Sequence, residues 1–328
     1  MKSKDKTIRA YHTGAILAIT DWFTIVPFIE MIGCKTTSYW HMHFTNKQHV
    51  KEDIRHGALF LTNHRDICVD PAFLSMMLRK RFGIRPFIAI GNNLFGKWWI
   101  EPFVRFNRCF VVKRGGTPRE LMEHSAVMSE YIRHLRERHK SIWMAQREGR
   151  AKDGNDLTQP AILKMLTMGQ DSFLDAIRAL NICPVCLNYE FDPCDYLKAA
   201  EMQLKRDNPD WKKTKQDDLT SMHTGIWGQK GRVVFRMTES INRWLDTVDL
   251  SSLSRNDQVL AVAKQIDKQI HSAYEIYERG TDFDKYIESR LALIDIPNKD
   301  ETFLRERLYE MYNNPILNYE KSNIPREL

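Results

Sequence analysis

Gly57-Ala58-Leu59-Phe60-Leu61-Thr62-Asn63-His64-Arg65-Asp66-Ile67-Cys68-Val69-Asp70-Pro71 is the stretch on which the reading of this chain turns. Its first six residues form a short, nearly continuous apolar run, the pattern of a strand buried on both faces of a parallel sheet. Asp70 followed by Pro71 suits the start of a helix, with Asp70 as N-cap and Pro71 at the first helical position. A histidine stands between the two. Open α/β sheets place their sites just past the C-terminal ends of their strands. An imidazole there has a near-neutral pKa suited to proton abstraction, and a nearby acid could fix its tautomer. Asp70, six positions on, is the first candidate for that acid and Asp66, two positions on, is the second. The plainer alternative is a loop histidine beside a helix-capping aspartate.

Working outward, the chain alternates strand and helix. Ser38–Phe44 alternates like a strand. Pro71–Arg81 reads as a helix, Pro86–Ile90 as a strand and Asn93–Phe106 as a helix-like stretch. Cys109–Val112 is a strand, Pro118–Arg138 a helix and Ser141–Ala145 a strand. Gln159–Met168 and Ser172–Leu180 are helical, and Ile182–Tyr189 is a further strand. This order argues for an α/β fold with a largely parallel central sheet flanked by helices. From 196 to 230 the composition turns polar, with Lys205-Arg206 and Lys212-Lys213, and reads as a charged excursion before a strand at Gly231–Arg236. Val259, Val262, Ile266, Ile270 and Ala273 then fall at helical spacing. The expected organisation is an N-terminal amphipathic segment (1–35), an α/β domain (36–245) and a C-terminal helical extension (246–328).

Composition narrows the class of protein. A hydrophobic fraction of 43% and a charged fraction of 28% over 328 residues describe a globular chain able to bury a full core. With 49 Lys+Arg against 42 Asp+Glu the net charge is +7, which suits anionic partners without choosing among them. No nucleic-acid motif accompanies the basic runs, and acidic residues are interleaved with them, so nucleic acid is not an expected partner. Cys34, Cys68, Cys109, Cys183, Cys186 and Cys194 sit in apolar surroundings and read as reduced core thiols. Cys183-Pro184-Val185-Cys186 has redox-motif spacing but lies within a strand, and no second such pair completes a metal site. No run reaches the ~20 apolar residues of a spanning helix. Lys2, Lys4, Lys6 and Arg9 ahead of Trp22, Phe23, Ile25, Phe28 and Ile29 instead suit a segment lying in a membrane interface, the alternative being an amphipathic helix packed on the protein's own core.

Three further segments each lie at a strand and carry groups that a phosphate-bearing substrate needs, although Lys113-Arg114 taken singly reads as a solvated strand end. Arg108, Lys113 and Arg114 flank the strand Cys109–Val112. Gln146-Arg147-Glu148-Gly149-Arg150 follows the strand ending at Ala145, and Pro184 sits within the later strand. Guanidinium forks bind phosphate bidentately. A glycine after Glu148 lets backbone approach a ligand closely.

Taken in order, these segments resemble the glycerolipid acyltransferase family, whose best-known members are lysophosphatidate acyltransferases. That family shows a His-x4-Asp block preceded by Asn, then a Gly-x-x-Phe-x-x-Arg block. A Phe-Pro-Glu-Gly-Thr block and a strand with a Val-Pro or Ile-Pro pair follow. Asn63-His64 with Asp70 stands for the first block and Phe110–Arg114 for the second. Gln146–Gly149 stands for the third and Cys183-Pro184-Val185 for the fourth, over roughly residues 36 to 245. The departures are specific. The acid is six residues after His64 where the family has five, and position five is Val69. Arg108 replaces a glycine, Gln146-Arg147 replaces Phe-Pro, and Arg150 replaces Thr.

The resemblance implies an O-acyltransferase of phospholipid biosynthesis at the cytoplasmic face of a membrane, anchored peripherally or interfacially. Its donor would be acyl-CoA or acyl-carrier protein, with no cofactor or metal. Its acceptor would be a lyso-glycerolipid such as 1-acyl-glycerol-3-phosphate, with glycerol 3-phosphate or a lyso amino-acid lipid as alternatives. His64 would be general base with Asp70 (or Asp66) holding its ring. Arg108, Lys113, Arg114, Glu148, Gly149, Arg150 and Pro184 would bind substrate. The rival is a catalytically inactive lipid-binding relative, favoured if the six-residue spacing cannot bring His64 and Asp70 together.

Overall fold

The computed structural model describes residues 26–91, 108–113, 115–280 and 282–323. Seven strands form one sheet: β1 (Thr37–Phe44), β2 (Leu59–Thr62), β3 (Phe87–Gly91), β4 (Cys109–Val112), β5 (Ile142–Ala145), β6 (Ile182–Tyr189) and β7 (Gly231–Met237). Their order across the sheet is β1-β7-β6-β2-β5-β3-β4. The apolar run before His64 becomes the central strand, and all four residues of β2 are buried. It pairs in parallel with β5 on one side and β6 on the other. Strands β3 and β4 continue the parallel set. Strand β7 runs antiparallel to β6, and β1 lies parallel to β7 at the edge. The fold is therefore α/β with a mostly parallel sheet, five strands pointing one way and two the other.

Twelve helices are described: α1 (Val26–Thr36), α2 (Lys47–Asp53), α3 (Val69–Phe82), α4 (Pro118–Glu137), α5 (Pro160–Leu166), α6 (Phe173–Leu180), α7 (Asp195–Asp207), α8 (Lys215–Trp227), α9 (Ile241–Leu245), α10 (Arg255–Ser272), α11 (Phe283–Ala292) and α12 (Glu301–Asn323). Because side chains alternate along a strand, the sheet feeds two apolar layers. Phe60, Trp143, Cys183 and Val185 meet Phe73, Leu74 and Leu78 of α3. Leu59, Leu61, Ile142 and Met144 meet Ile132 of α4, Leu163 of α5 and Ile177 of α6. Helix α4 starts where its sequence directs, at a Thr117–Glu120 capping box with Pro118 in the first turn. Among the described residues no helix is long and apolar enough to cross a membrane. Most of the N-terminal segment 1–35, and the helix-like stretch Asn93–Phe106, lie outside the described residues.

Two regions find their packing partners only in the fold. Helix α10 lies on the sheet itself, with Val259, Val262, Ile266 and Ile270 in the same layer as Leu61 and Ile182. The polar stretch 196–230 folds as α7 and α8, and Ala199 of α7 joins Ile287, Leu291, Leu304 and Leu308 of α11 and α12 in a third apolar cluster. Buried polar residues here, Lys198, Gln203, Ser221 and Lys230, hid the pattern. Periodicity in hydrophobicity is blind to a helix that buries lysines.

Lys230 illustrates the cost of such burial. Its ammonium donates to Gly228 O (2.8 Å), Thr36 Oγ1 (3.1 Å) and Ile226 O (3.2 Å), tying the ends of α1 and α8 to the start of β7. Burial pushes its pKa down to about 8. Between that value and the ordinary lysine value of ~10.4 the unfolded chain holds a proton that the folded chain has released. Stability should therefore climb with pH across this window and show no such climb below it. Urea unfolding of the native protein and Lys230→Met between pH 7.5 and 10 checks this. The climb should be missing from the variant, and parallel curves would contradict the depressed value.

Candidate active site

The C-terminal ends of β2, β3, β4, β5 and β6 share one edge of the sheet, and the residues after β2 build a tight loop there. Asn63 starts it. Its amide bridges β2 to β6, donating to Leu187 O (3.1 Å) and accepting from Leu187 N (2.7 Å). This continues the ladder by one side chain and launches the next residues off the sheet. Strand alternation then puts His64 on the Trp143 side, its ring edge-on to the indole at 5.8 Å between centroids.

The six-residue spacing brings His64 and Asp70 together. His64 Nδ1 lies 2.8 Å from Asp70 Oδ2, with the histidine side chain 13% exposed and the aspartate 0%. The same oxygen accepts from Arg65 N (2.7 Å) and Asp66 N (3.0 Å). The other oxygen, Oδ1, accepts from the Tyr189 hydroxyl at 2.8 Å. A carboxylate that receives four donors is an acceptor only, so Nδ1 must carry the proton in this bond. In the neutral ring Nε2 is then left with the lone pair. An imidazole held this way can take a proton at Nε2.

Asp70 is not the cap of the following helix. It lies inside the first turn of α3, whose N-cap position falls on Cys68 with no side-chain cap bond. The capping falls to Asp66, whose Oδ1 accepts from Cys68 N (2.8 Å) and Val69 N (2.7 Å). The two acids thus divide the roles that the sequence left open between them. Burial and the neighbouring Asp70 charge push the Asp66 carboxyl above the usual range. Burial also pushes the Cys68 thiol far up and Cys109 up to about 12, so neither is poised as a thiolate.

Of the expected anion-binding residues, the edge gathers some and not others. Lys113 follows β4 at this edge and is exposed. Arg114 lies outside the described residues. Arg108 precedes β4, so the strand carries it to the opposite edge, where it donates to Arg85 O and stacks on Phe87. It is not part of this site. Pro184 is buried mid-strand opposite Leu61, its carbonyl accepting from Thr238 N and Oγ1. It shapes the end of the β6–β7 pairing and does not reach the edge. Glu148 is exposed and its N–H is held by Gln159 Oε1 (2.7 Å). Gly149 adopts φ +71°, which a side chain resists although space is open around it. Arg150 is half-buried. Desolvation would lower its pKa, but the charges around it, Asp66 and Asp192 included, hold it above the usual value.

Several residues that the linear pattern did not reveal complete the site. Tyr189 ends β6 at this same edge, and a tyrosine closing a buried strand there was a readable signal. Arg65 pairs with Asp156 at 2.6 Å, and Asp156 Oδ2 also accepts from Asn63 (3.0 Å) and Tyr274 (2.6 Å). A cavity of about 460 Å³ opens behind Arg65, walled by Tyr189, Asp192, Tyr274, Arg279 and Tyr312. His64 does not line it. Among the described residues no group of three or more His, Cys, Asp or Glu could hold a metal ion.

Gly225 of α8 sets how closely the site is packed. A Cβ there would stand 1.7 Å from Asp66 Oδ2. Alanine should gain ~1 kcal/mol of helix propensity, whereas forcing atoms into a packed site costs ~1–3 kcal/mol. The clash should win, so Gly225→Ala is expected to lower both the melting temperature and turnover. A variant with both unchanged would show that the loop does not depend on this contact.

Comparison with known proteins identifies a family for part of the chain. The family model described as Acyltransferase matches residues 41–186, which run from β1 through the His64 loop to β6. Comparison of the chain with curated proteins finds no match. Residues 41–186 are an acyltransferase domain of the glycerolipid acyltransferase family, and the chain that carries them is an acyltransferase.

Proposed function

We propose that the protein transfers a fatty acyl group from acyl-CoA or acyl-carrier protein to the hydroxyl of a lyso-glycerolipid, with His64 as general base. The observation that carries this reading is the 2.8 Å bond between His64 Nδ1 and a fully buried Asp70. In this scheme Nε2 takes the proton of the acceptor hydroxyl as its oxygen attacks the thioester carbonyl. The Asp70 charge stabilises the imidazolium that forms, and the imidazolium then protonates the leaving thiolate. A general base supplies ~10² to 10⁴-fold. The remainder falls to positioning and to stabilising the oxyanion.

The acceptor we favour is 1-acyl-glycerol-3-phosphate. Lys113 and Arg114, adjacent in sequence after β4, would grip its phosphate, with the Arg150 charge adding to the positive potential from beside Asp66. Glycerol 3-phosphate shares that phosphate, and a lyso amino-acid lipid would meet the same cations through its carboxylate. The basic, tryptophan-bearing N-terminal sequence supports work at the cytoplasmic face of a membrane, within phospholipid biosynthesis. The inactive-relative reading loses its motive, because the spacing that prompted it does bring the two side chains together.

An acyl-transfer assay with lyso-lipid and glycerol 3-phosphate acceptors, and both donor types, tests the reading. His64→Ala should lose ~10² to 10⁴-fold in turnover while keeping its native circular dichroism. Unchanged turnover would remove the mechanism. Cys68→Ala should keep its activity, since no thiol attack is involved, and an acyl-enzyme trapped on Cys68 would contradict this.

A further inference from the structure

Lys198 lies inside the protein, 2% exposed, on a helix that the acyl-transfer scheme does not use. Its ammonium pairs with the Asp192 carboxylate and donates to the carbonyl oxygen of Arg65 at 3.0 Å. That carbonyl belongs to the peptide joining Arg65 to Asp66. The N–H of the same peptide donates to Asp70 Oδ2, the oxygen that receives His64 Nδ1–H. One peptide is thus held at both ends, a cation on its oxygen and a carboxylate on its hydrogen. Both align with its dipole, so each bond strengthens the other.

Stability alone does not explain a lysine here. Burying an ammonium is costly, and even a paired one is often replaceable by an apolar side chain without loss. What the lysine adds is a donor aimed at one carbonyl in the catalytic loop. Its partner is also fixed, since Asp192 N donates to the Tyr312 hydroxyl of α12 (3.1 Å) and Asp192 Oδ1 accepts from Cys194 N (2.9 Å). A continuous run of hydrogen bonds therefore leads from the C-terminal helix to the imidazole.

We propose that Lys198 is a positioning residue for His64. It sets the 65–66 peptide so that the Asp66 amide keeps Asp70, and through it the imidazole, oriented for proton transfer. The inference rests on His64 being the base.

The test uses the full-length protein, acyl-transfer kinetics and the proton resonance of His64 Nδ1–H, which reads the His64–Asp70 bond without substrate. Lys198→Met should lower kcat ~10-fold or more while KM for both substrates stays within about twofold. The resonance should broaden or move upfield, and Lys198→Arg should recover part of both. Lys230→Met is the control, a buried lysine bonded to Thr36, Ile226 and Gly228 and to no atom of the loop. It should keep kcat per folded molecule. A Lys198→Met protein with wild-type kcat and resonance overturns the proposal, as does a loss that Lys230→Met reproduces. If Lys198→Met does not fold, Tyr312→Phe takes its place. Removing that hydroxyl should displace the resonance and lower kcat less, and an unmoved resonance overturns the proposal. The His64→Ala arm separates the two failures. Activity retained there ends the base mechanism, whereas activity lost there with a normal Lys198→Met ends only this inference.

Discussion

The Asp70 carboxylate is the point on which the site depends. Four donors converge on it, from an imidazole, two backbone amides and a phenol, in a place where water does not reach. An ionised group so buried is tolerable only when its lone pairs are taken up by well-placed donors. The converse also holds. Without the carboxylate, the Arg65 and Asp66 amides and the Tyr189 hydroxyl would be buried donors lacking acceptors, each costing ~1–3 kcal/mol. The bond to His64 is therefore one strand of a knot, and its geometry is set by everything tied to the other three.

Around that knot the sheet supplies direction. Strand β2 is central and buried throughout, so its C-terminal end is rigid, and Asn63 extends its pairing to β6 by a side chain. Strand alternation sends His64 toward Trp143 and Asn63 toward Asp156. The loop is consequently anchored on both faces of the sheet. On one side stands the imidazole, and on the other Asp156 gathers Arg65, Asn63 and Tyr274.

The helices that follow the matched domain are part of this arrangement. Asp195, at the start of α7, accepts from Tyr286, Tyr312 and Arg290, which lie on α11 and α12. Gly154 in the loop after β5 packs on the backbone of Met311, leaving no room for a side chain. The C-terminal helices thus hold the loops after β5 and β6, and with Tyr274 and Tyr189 they enclose the cavity behind Arg65.

Much of this was legible in the linear pattern. Cys109–Val112 and Ile182–Tyr189 stood out as strands because buried strands are written as continuous apolar runs, and α4 was expected to begin at Pro118. His64 stood out because it follows such a run, and the order of four blocks named the chemistry. Those are local signals, complete within a few residues. The division of labour between Asp66 and Asp70 was not local. Both are near His64 in sequence, and only the turn of α3 decides which carboxylate faces the ring and which faces the helix amides. Arg108 and Pro184 were misplaced for a related reason, since a strand's length and its partner's end determine which edge a residue reaches. Lys198 and Asp156 act through partners more than a hundred residues away. Their meaning comes from long-range contacts that chain order does not encode, and so only the packed tertiary structure assigns them.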